Sequence, residues 1–517
     1  MASHSRREFL ADIGKGMIVA SVGVSMAADY GLAAEATDAA AAPGRLKFGA
    51  LEPLVGLMQD TPIERLLPVL VGQLKSGVEL KTLLAAGALA NARTFGGEDY
   101  VGFHTMMALA PAMHMADELP AELQPLPVLK VLYRNTKCIH DHGGSASEVL
   151  HEVQPDSTPQ AGSEGLRALV RKGDKKRAEE AFAALSRISP EEALNSALFV
   201  VQDETEVHRT VLPYRSWDML NLIGKEYAHT LLRQSVRYCL NDRRRSDNAN
   251  GPSATLAALL EKHALLDRAA GARMPDDKWV NDTSMAIFKA TPAEAAEIAA
   301  AALADDVAPD ALGEAICLAA NQLILRDVGR TPRDETTNKP IGSVHGDSIG
   351  VHACDSANAW RNLARVSNAR NRYACLILGA YQVALDRVNR GGDFLHWNPL
   401  PVQNQVDQLR DTDPKVLLRQ AEDAIRGNLQ AHACAAIHRY GQLDHDPRGA
   451  FDLLLKYAVS EDGSLHAEKF YRTASEEFTT TRPAFRWRQL TALARVTASE
   501  YGRPAPGYAE ARGLLKV

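Results

Sequence analysis

The chain has 517 residues, 46% of them hydrophobic, and a formal net charge of −6. That length and apolar content suffice for one large packed core or a few domains, and the mild acidity excludes nucleic acid as the main partner, because phosphate binding needs a basic face. The 6 cysteines form no C-x-x-C or C-x-x-C-H spacing, which excludes thiolate zinc knuckles and covalent c-type haem.

The first element in chain order is "SHSRREFLADIGKGMIVASVG", residues 3–23. Ser5, Arg6, Arg7, Phe9 and Leu10 fall on the pattern S-R-R-x-F-L, so the segment resembles a twin-arginine export signal, an address read by a receptor of the export machinery. The stretch 17–34 carries Asp29 and many Gly, Ala and Ser residues. It is too weakly apolar for a stable membrane span and suits a cleavable export region. Residues 1–42 are therefore set apart as a signal. The mature chain is expected to lack an integral membrane span and to work in the periplasm or otherwise outside the cytoplasm. Signals of this kind move folded proteins, and the usual reason to fold first is a cofactor that must be loaded inside.

Beyond the signal the chain predicts helix after helix. Thr61-Pro62-Ile63-Glu64, Ser189-Pro190-Glu191-Glu192 and Thr291-Pro292-Ala293-Glu294 each offer a capping hydroxyl, a proline at the first helical position and a glutamate able to close a capping box. Ser76-Gly77-Val78-Glu79 is a fourth box, and Asp413-Pro414 a related start. Apolar residues recur at helical spacing, as in Leu80, Leu83, Leu84, Ala88 and Ala90, or Ile316, Ala319, Ala320 and Leu323. Alanine is abundant, which favours helix, and no run alternates as a strand would. The fold class is all-α: one large multi-helix domain, or two packed helical halves over 43–240 and 255–517. Polar breaks near 152–165, 241–254, 328–346 and 388–412 read as loops. Arg243, Arg244 and Arg245 form a solvated run inside one of them. The helix starts keep no fixed period, so no tandem repeat is expected. Cys239, Cys317, Cys354, Cys375 and Cys434 sit in apolar helical contexts and are expected as buried thiols.

Histidine carries the chemical signal, with 16 in the chain. "GFHTMMALAPAMHMADELP" holds His104 and His114, and Pro111 is expected to kink that helix. "CIHDHGG" reads as a loop with His140, Asp141 and His142 as potential ligands. His208 and His229 follow, with Pro213 expected to separate two helices. "GSVHGDSIGVHACDSANAW" places His345 in a glycine-rich loop and His352 near the start of a long helix. Two Glu-x-x-His pairs, Glu148 with His151 and Glu226 with His229, have the i, i+3 spacing used in di-metal carboxylate bundles, or equally the spacing of a solvated helix face. No G-x-S-x-G, H-E-x-x-H or dinucleotide fingerprint occurs, and Gly342, Gly346 and Gly350 are not followed by the Lys-Ser/Thr of a phosphate loop.

Three of these contexts resemble the questin oxidase-like family. Phe103-His104 matches its early F-H segment. Val207-His208 corresponds to its central histidine segment, without the preceding glycine. His352-Ala353-Cys354-Asp355-Ser356-Ala357-Asn358-Ala359 follows its late H-x-x-T-x-x-x-A stretch, with Asp355 at the threonine position. The resemblance implies a helical protein that performs an oxygen-inserting oxidation of a carbonyl or aromatic substrate. The resulting expectation is an exported oxidoreductase, of oxygenase or oxidase type, acting on a small molecule in a histidine-lined pocket. His104, His208 and His352 would converge, with His114 or His142 completing a metal set. Asp355 and Tyr214 would serve as outer or proton-transfer groups. The cofactor would be a metal ion, iron foremost because it activates dioxygen, or a noncovalent haem. Without a metal the same histidines would act as general bases. A non-catalytic periplasmic binding or scaffold protein is the alternative class.

Overall fold

A computed structural model describes residues 44–156, 162–241 and 251–517. Residues 1–42, read above as an export signal, and Arg243, Arg244 and Arg245 lie outside the described residues. Among the described residues the protein is all-α: 23 α-helices, a few short 3₁₀ turns, isolated bridge pairs and no strand. No described helix is long and apolar enough to cross a membrane. One buried apolar cluster runs from Phe48 to Ala511. Cys317, Cys354, Cys375 and Cys434 are buried thiols within the fold, and Cys239 is buried as well.

Local signals account for several helix starts. Thr291 and Glu294 form the full capping box: the glutamate accepts from the Thr291 N–H at 2.9 Å and the threonine hydroxyl accepts from the Glu294 N–H. Ser189 accepts from the Glu192 N–H, and Asp413 from Lys415 and Val416. Two starts depart from expectation. Thr61 makes no side-chain cap bond but closes the preceding helix through its N–H, and the next helix opens after Pro62. Ser76 closes the preceding helix instead, its hydroxyl donating to the Gln73 carbonyl at 2.8 Å. A serine or threonine side chain can serve either end of a helix, and the chain turn at Gly77 decides which.

Eight helices frame the site: α1 (Tyr100–Asp117), α2 (Pro125–Asp141), α3 (Val207–Ile223), α4 (Ala228–Asn241), α5 (Ile349–Val366), α6 (Ala369–Arg390), α7 (His466–Thr480) and α8 (Trp487–Glu500). The odd-numbered helices close a ring, with α1 packed on α3, α3 on α5, α5 on α7 and α7 back on α1. Each even-numbered helix packs on the one before it. The connectors are short, so the even helices carry the chain back and the odd ones start from a common end. Paired residues show this direction: His104 meets His208 and His114 meets Asp218, while His352 meets His466, Asp355 meets Thr473 and Arg361 meets Glu477. Both numbers rise together along each contact, so the inner helices run parallel.

Pro213 does not separate two helices; α3 continues through it. Proline removes one intrahelical bond and costs about 3 kcal/mol, but Val211, Leu212, Met219 and Leu220 are buried on either side and hold the helix together. α1 likewise continues through Pro111.

Candidate functional site

Four imidazoles meet where the inner helices begin. His208 is the second residue of α3, His352 the fourth of α5 and His466 the first of α7, while His104 lies in the second turn of α1. Their rings follow one another in the same cyclic order as the helices. Centroids are 4.6 Å apart for His104–His208, 5.9 Å for His208–His352, 5.3 Å for His352–His466 and 5.4 Å for His466–His104. Two Nε2–Nε2 pairs are close, His104–His208 at 3.1 Å and His352–His466 at 3.2 Å.

The outer nitrogens fix the tautomers. His104 Nδ1 is 2.6 Å from the Tyr100 carbonyl, and His466 Nδ1 is 3.1 Å from the Ser464 carbonyl. A carbonyl only accepts, so each Nδ1 carries the proton and each Nε2 presents a lone pair inward. His208 Nδ1 is 2.5 Å from Glu206 Oε1. Glu206 is also the N-cap of α3, accepting from the His208 and Arg209 N–H groups, and it accepts from the Tyr238 hydroxyl at 2.9 Å. Burial opposes ionisation of this carboxyl, but its bond to His208 and these further donors outweigh burial and hold it at about 2. Ser464 and Leu465, just before His466, both take left-handed backbone conformations. Such residues store on the order of 1–3 kcal/mol each, held by surrounding contacts. The glycine at 346 packs against His466: a Cβ there would overlap the histidine Cβ.

Burial is the main cause that keeps His104, His352 and His466 neutral. It lowers His104 to about 2 and His352 to about 3, and takes His466 well down, with the Lys469 ammonium the next cause in each case. Neutral imidazoles with inward lone pairs are metal donors. Two such nitrogens at about 2.0–2.1 Å from one ion stand about 2.8–3.4 Å apart for right-angled to tetrahedral geometry, a range that includes both close pairs. Among the described residues no group of three or more His, Cys, Asp or Glu donors is already closed up as a metal site; the four rings stand as two pairs.

Below the histidines the ring's interior stays polar. Lys469, one turn along α7 from His466, is 2% exposed. Asp355 lies one turn along α5 from His352, accepts from the Thr473 hydroxyl at 2.7 Å and has its other oxygen buried without a hydrogen-bond partner. Farther along, at the C-terminal ends of the inner helices, a 540 Å³ cleft opens, lined among others by Tyr214, Asp218, Arg365, Arg472 and Glu476. The Tyr214 hydroxyl donates to Glu476 at 2.8 Å. Tyr214 therefore belongs to this cleft, six residues or about 9 Å along α3 from His208, and not to the histidine cluster.

His104, His208 and His352 are thus brought together, and His114 and His142 are not. His114 is ten residues, about 15 Å, along α1 from His104, and its Nε2 bonds Asp218 at 2.9 Å. His142 caps the C-terminus of α2, exposed, against the Phe95 ring at 5.1 Å; "CIHDH" completes a helix and does not form a ligand loop. The Glu-x-x-His pairs also separate. Glu148 is bound by Arg45 and Arg93 outside any helix, and His229 stacks on Phe182. The fourth histidine of the cluster, His466, was not singled out in the sequence. Its only local signal is the i, i+3 spacing to Lys469.

The His114 assignment has a direct check. Burial raises the Asp218 carboxyl, but its bond to His114 and the Arg215 charge outweigh this and hold it below the ordinary value. A depressed carboxylate contributes stability that is complete above its unfolded pKa of about 4 and is lost as pH falls through the folded value. His114→Gln is expected to move the acid-unfolding midpoint to higher pH, followed by circular dichroism. An unchanged midpoint would show that His114 does not hold the Asp218 carboxylate.

No family model, curated protein or solved structure matches the chain.

Proposed function

We propose that the protein is a metal-dependent oxidoreductase using dioxygen on a small-molecule substrate, with His104, His208, His352 and His466 as the metal ligands and export in the folded, loaded state. The observation that carries the reading is the orientation of the outer nitrogens. The Nδ1 atoms of three imidazoles face two carbonyls and a carboxylate, the outer-sphere pattern that orients metal-binding histidines. With His104 and His208 both protonated on Nδ1 and neutral, their Nε2 lone pairs would confront each other at 3.1 Å. A cation between them resolves that repulsion. Iron suits an all-imidazole set and would supply electron transfer to dioxygen. A haem fits less well, because the two close Nε2 pairs leave no slot for a macrocycle between them. The chain's own part is to gather four imidazoles where the inner helices begin, three of them oriented by Glu206 and two backbone carbonyls.

One observation favours a second reading. The Nε2–Nε2 spacings are also hydrogen-bond lengths. A protonated His208 between Glu206 and His104 satisfies the first pair without a metal, and His352 donating to His466 satisfies the second. The cluster would then be an acid–base site. Metal analysis with an absorption spectrum, on protein recovered through its own export route, separates the two. About one ion per chain supports the metal reading. A metal-free protein with a histidine that titrates as an imidazolium overturns it in favour of acid–base chemistry or a binding role.

A further inference from the structure

Two lysines are deeply buried near the ring, and the fold treats them differently. The Lys130 ammonium, 5% exposed, meets Glu468 at 2.7 Å and the carbonyls of Ala458 and Glu461 at 2.8 and 2.7 Å. Lys469, at 2% exposure, makes no hydrogen bond or ion pair with any described residue. Asp355 and then Glu468 balance its charge through space without a hydrogen bond; a buried ammonium with no hydrogen bond is costly, and three unused donors in one place call for an acceptor.

The direction of that ammonium is given by the helix. His466 and Lys469 are three residues apart on α7 and so share a face, the face that His466 turns toward the other three imidazoles. The Lys469 charge is felt at His104, His352 and His466. α3, α5 and α7 also begin at this place, α3 capped by Glu206 and α5 by Ser348, while the first turn of α7 has no side-chain cap. At the open side, Tyr100 is 63% exposed and its ring lies 4.4 Å from His104 and 5.8 Å from His208. Phe103 lies 5.0 Å from both.

We infer that Lys469 binds an anionic oxygen of the substrate, so that the four-histidine site takes aromatic acids: a carboxylate or phenolate whose ring rests against Tyr100 and Phe103. The inference builds on the proposed active site but does not need the metal. Lys469 donates to the anion while the ring stays within reach of the imidazoles. The hydrogen-bond acceptor that Lys469 lacks is thereby supplied only when substrate is present.

Calorimetric titration tests this with benzoate as the anionic probe and benzamide as its neutral counterpart, on wild type and Lys469→Met, with metal content measured on the same samples. Benzoate should bind wild type at least ten-fold more tightly than it binds K469M, and more tightly than benzamide binds wild type. K469M should keep the wild-type metal content. Equal benzoate affinity in the two proteins, or no benzoate binding to wild type, overturns the inference even if metal is present. A metal-free wild type that binds benzoate through Lys469 sinks the metal proposal and leaves this one standing. If K469M does not fold, Lys469→Gln replaces it, and Lys469→Arg should restore part of the benzoate affinity.

Discussion

Replacing His466 with alanine is expected to empty the histidine site. Wild type should carry about one metal ion per chain and His466→Ala a small fraction of that after dialysis against a weak chelator. Losing only an outer-sphere partner costs 10–100-fold in metal affinity, so removing one of four donors should cost at least about 100-fold. His104→Ala and His352→Ala should behave the same way. All three should keep their helical circular dichroism, because the core that holds α1, α3, α5 and α7 consists of other residues, such as Met106, Leu212, Ala357 and Phe470. His466→Ala retaining full metal would remove it from the ligand set and leave the cluster as a proton-sharing network. The comparison is informative because His466 is the ring member with no motif around it.

The largest effect on stability is expected lower in the ring. Arg361 and Glu477 pair across α5 and α7 at 2.6 Å, with side chains 1% and 2% exposed. Asn358 donates to the same carboxylate at 2.9 Å, and Arg361 reaches Asp310 and the Thr480 carbonyl at 3.2 Å each. Truncating the arginine leaves the Glu477 charge buried with little to balance it. Removing one partner of such a pair costs about 3–5 kcal/mol. Arg361→Ala should therefore lower the urea midpoint strongly, while metal per folded chain remains at the wild-type value. The double variant Arg361→Met with Glu477→Leu should recover much of the loss, since two apolar residues of similar volume leave no stranded charge. A midpoint within error of wild type for Arg361→Ala would show that the pair does not hold the ring together. The two variants thus separate the ring's chemistry, at the helix starts, from its mechanical joint about three turns along.

The positions of the histidine cluster and the polar cleft follow from one architectural fact. Four parallel helices leave one end where N–H groups converge and another where carbonyls do. The imidazoles and Lys469 occupy the first, favourable for an anion. Arg365, Arg448 and Arg472 line the cleft at the second, favourable for cations near carbonyl ends. Asp355, Thr473 and Arg215 lie between them.

What the sequence determined by itself is what short-range forces decide. Helix content follows from apolar spacing of about 3.6 residues and from alanine, and the caps at Ser189, Thr291 and Asp413 are bonds within three residues of the cap. His104, His208 and His352 were legible because each sits in a recognisable local context. The remainder depended on which helices become neighbours. His104 and His208 are 104 residues apart, and His352 and His466 are 114 apart, distances over which no periodicity carries information. His114 and His142 lie in equally suggestive stretches but at the wrong end or on the outside of their helices. Pro213 reads as a break, yet burial on both of its sides overrides the lost bond. Only closure of the ring brings four helix starts together, and with them His466 and the buried ammonium of Lys469 beside Asp355, because burial and charge act through space and not along the chain.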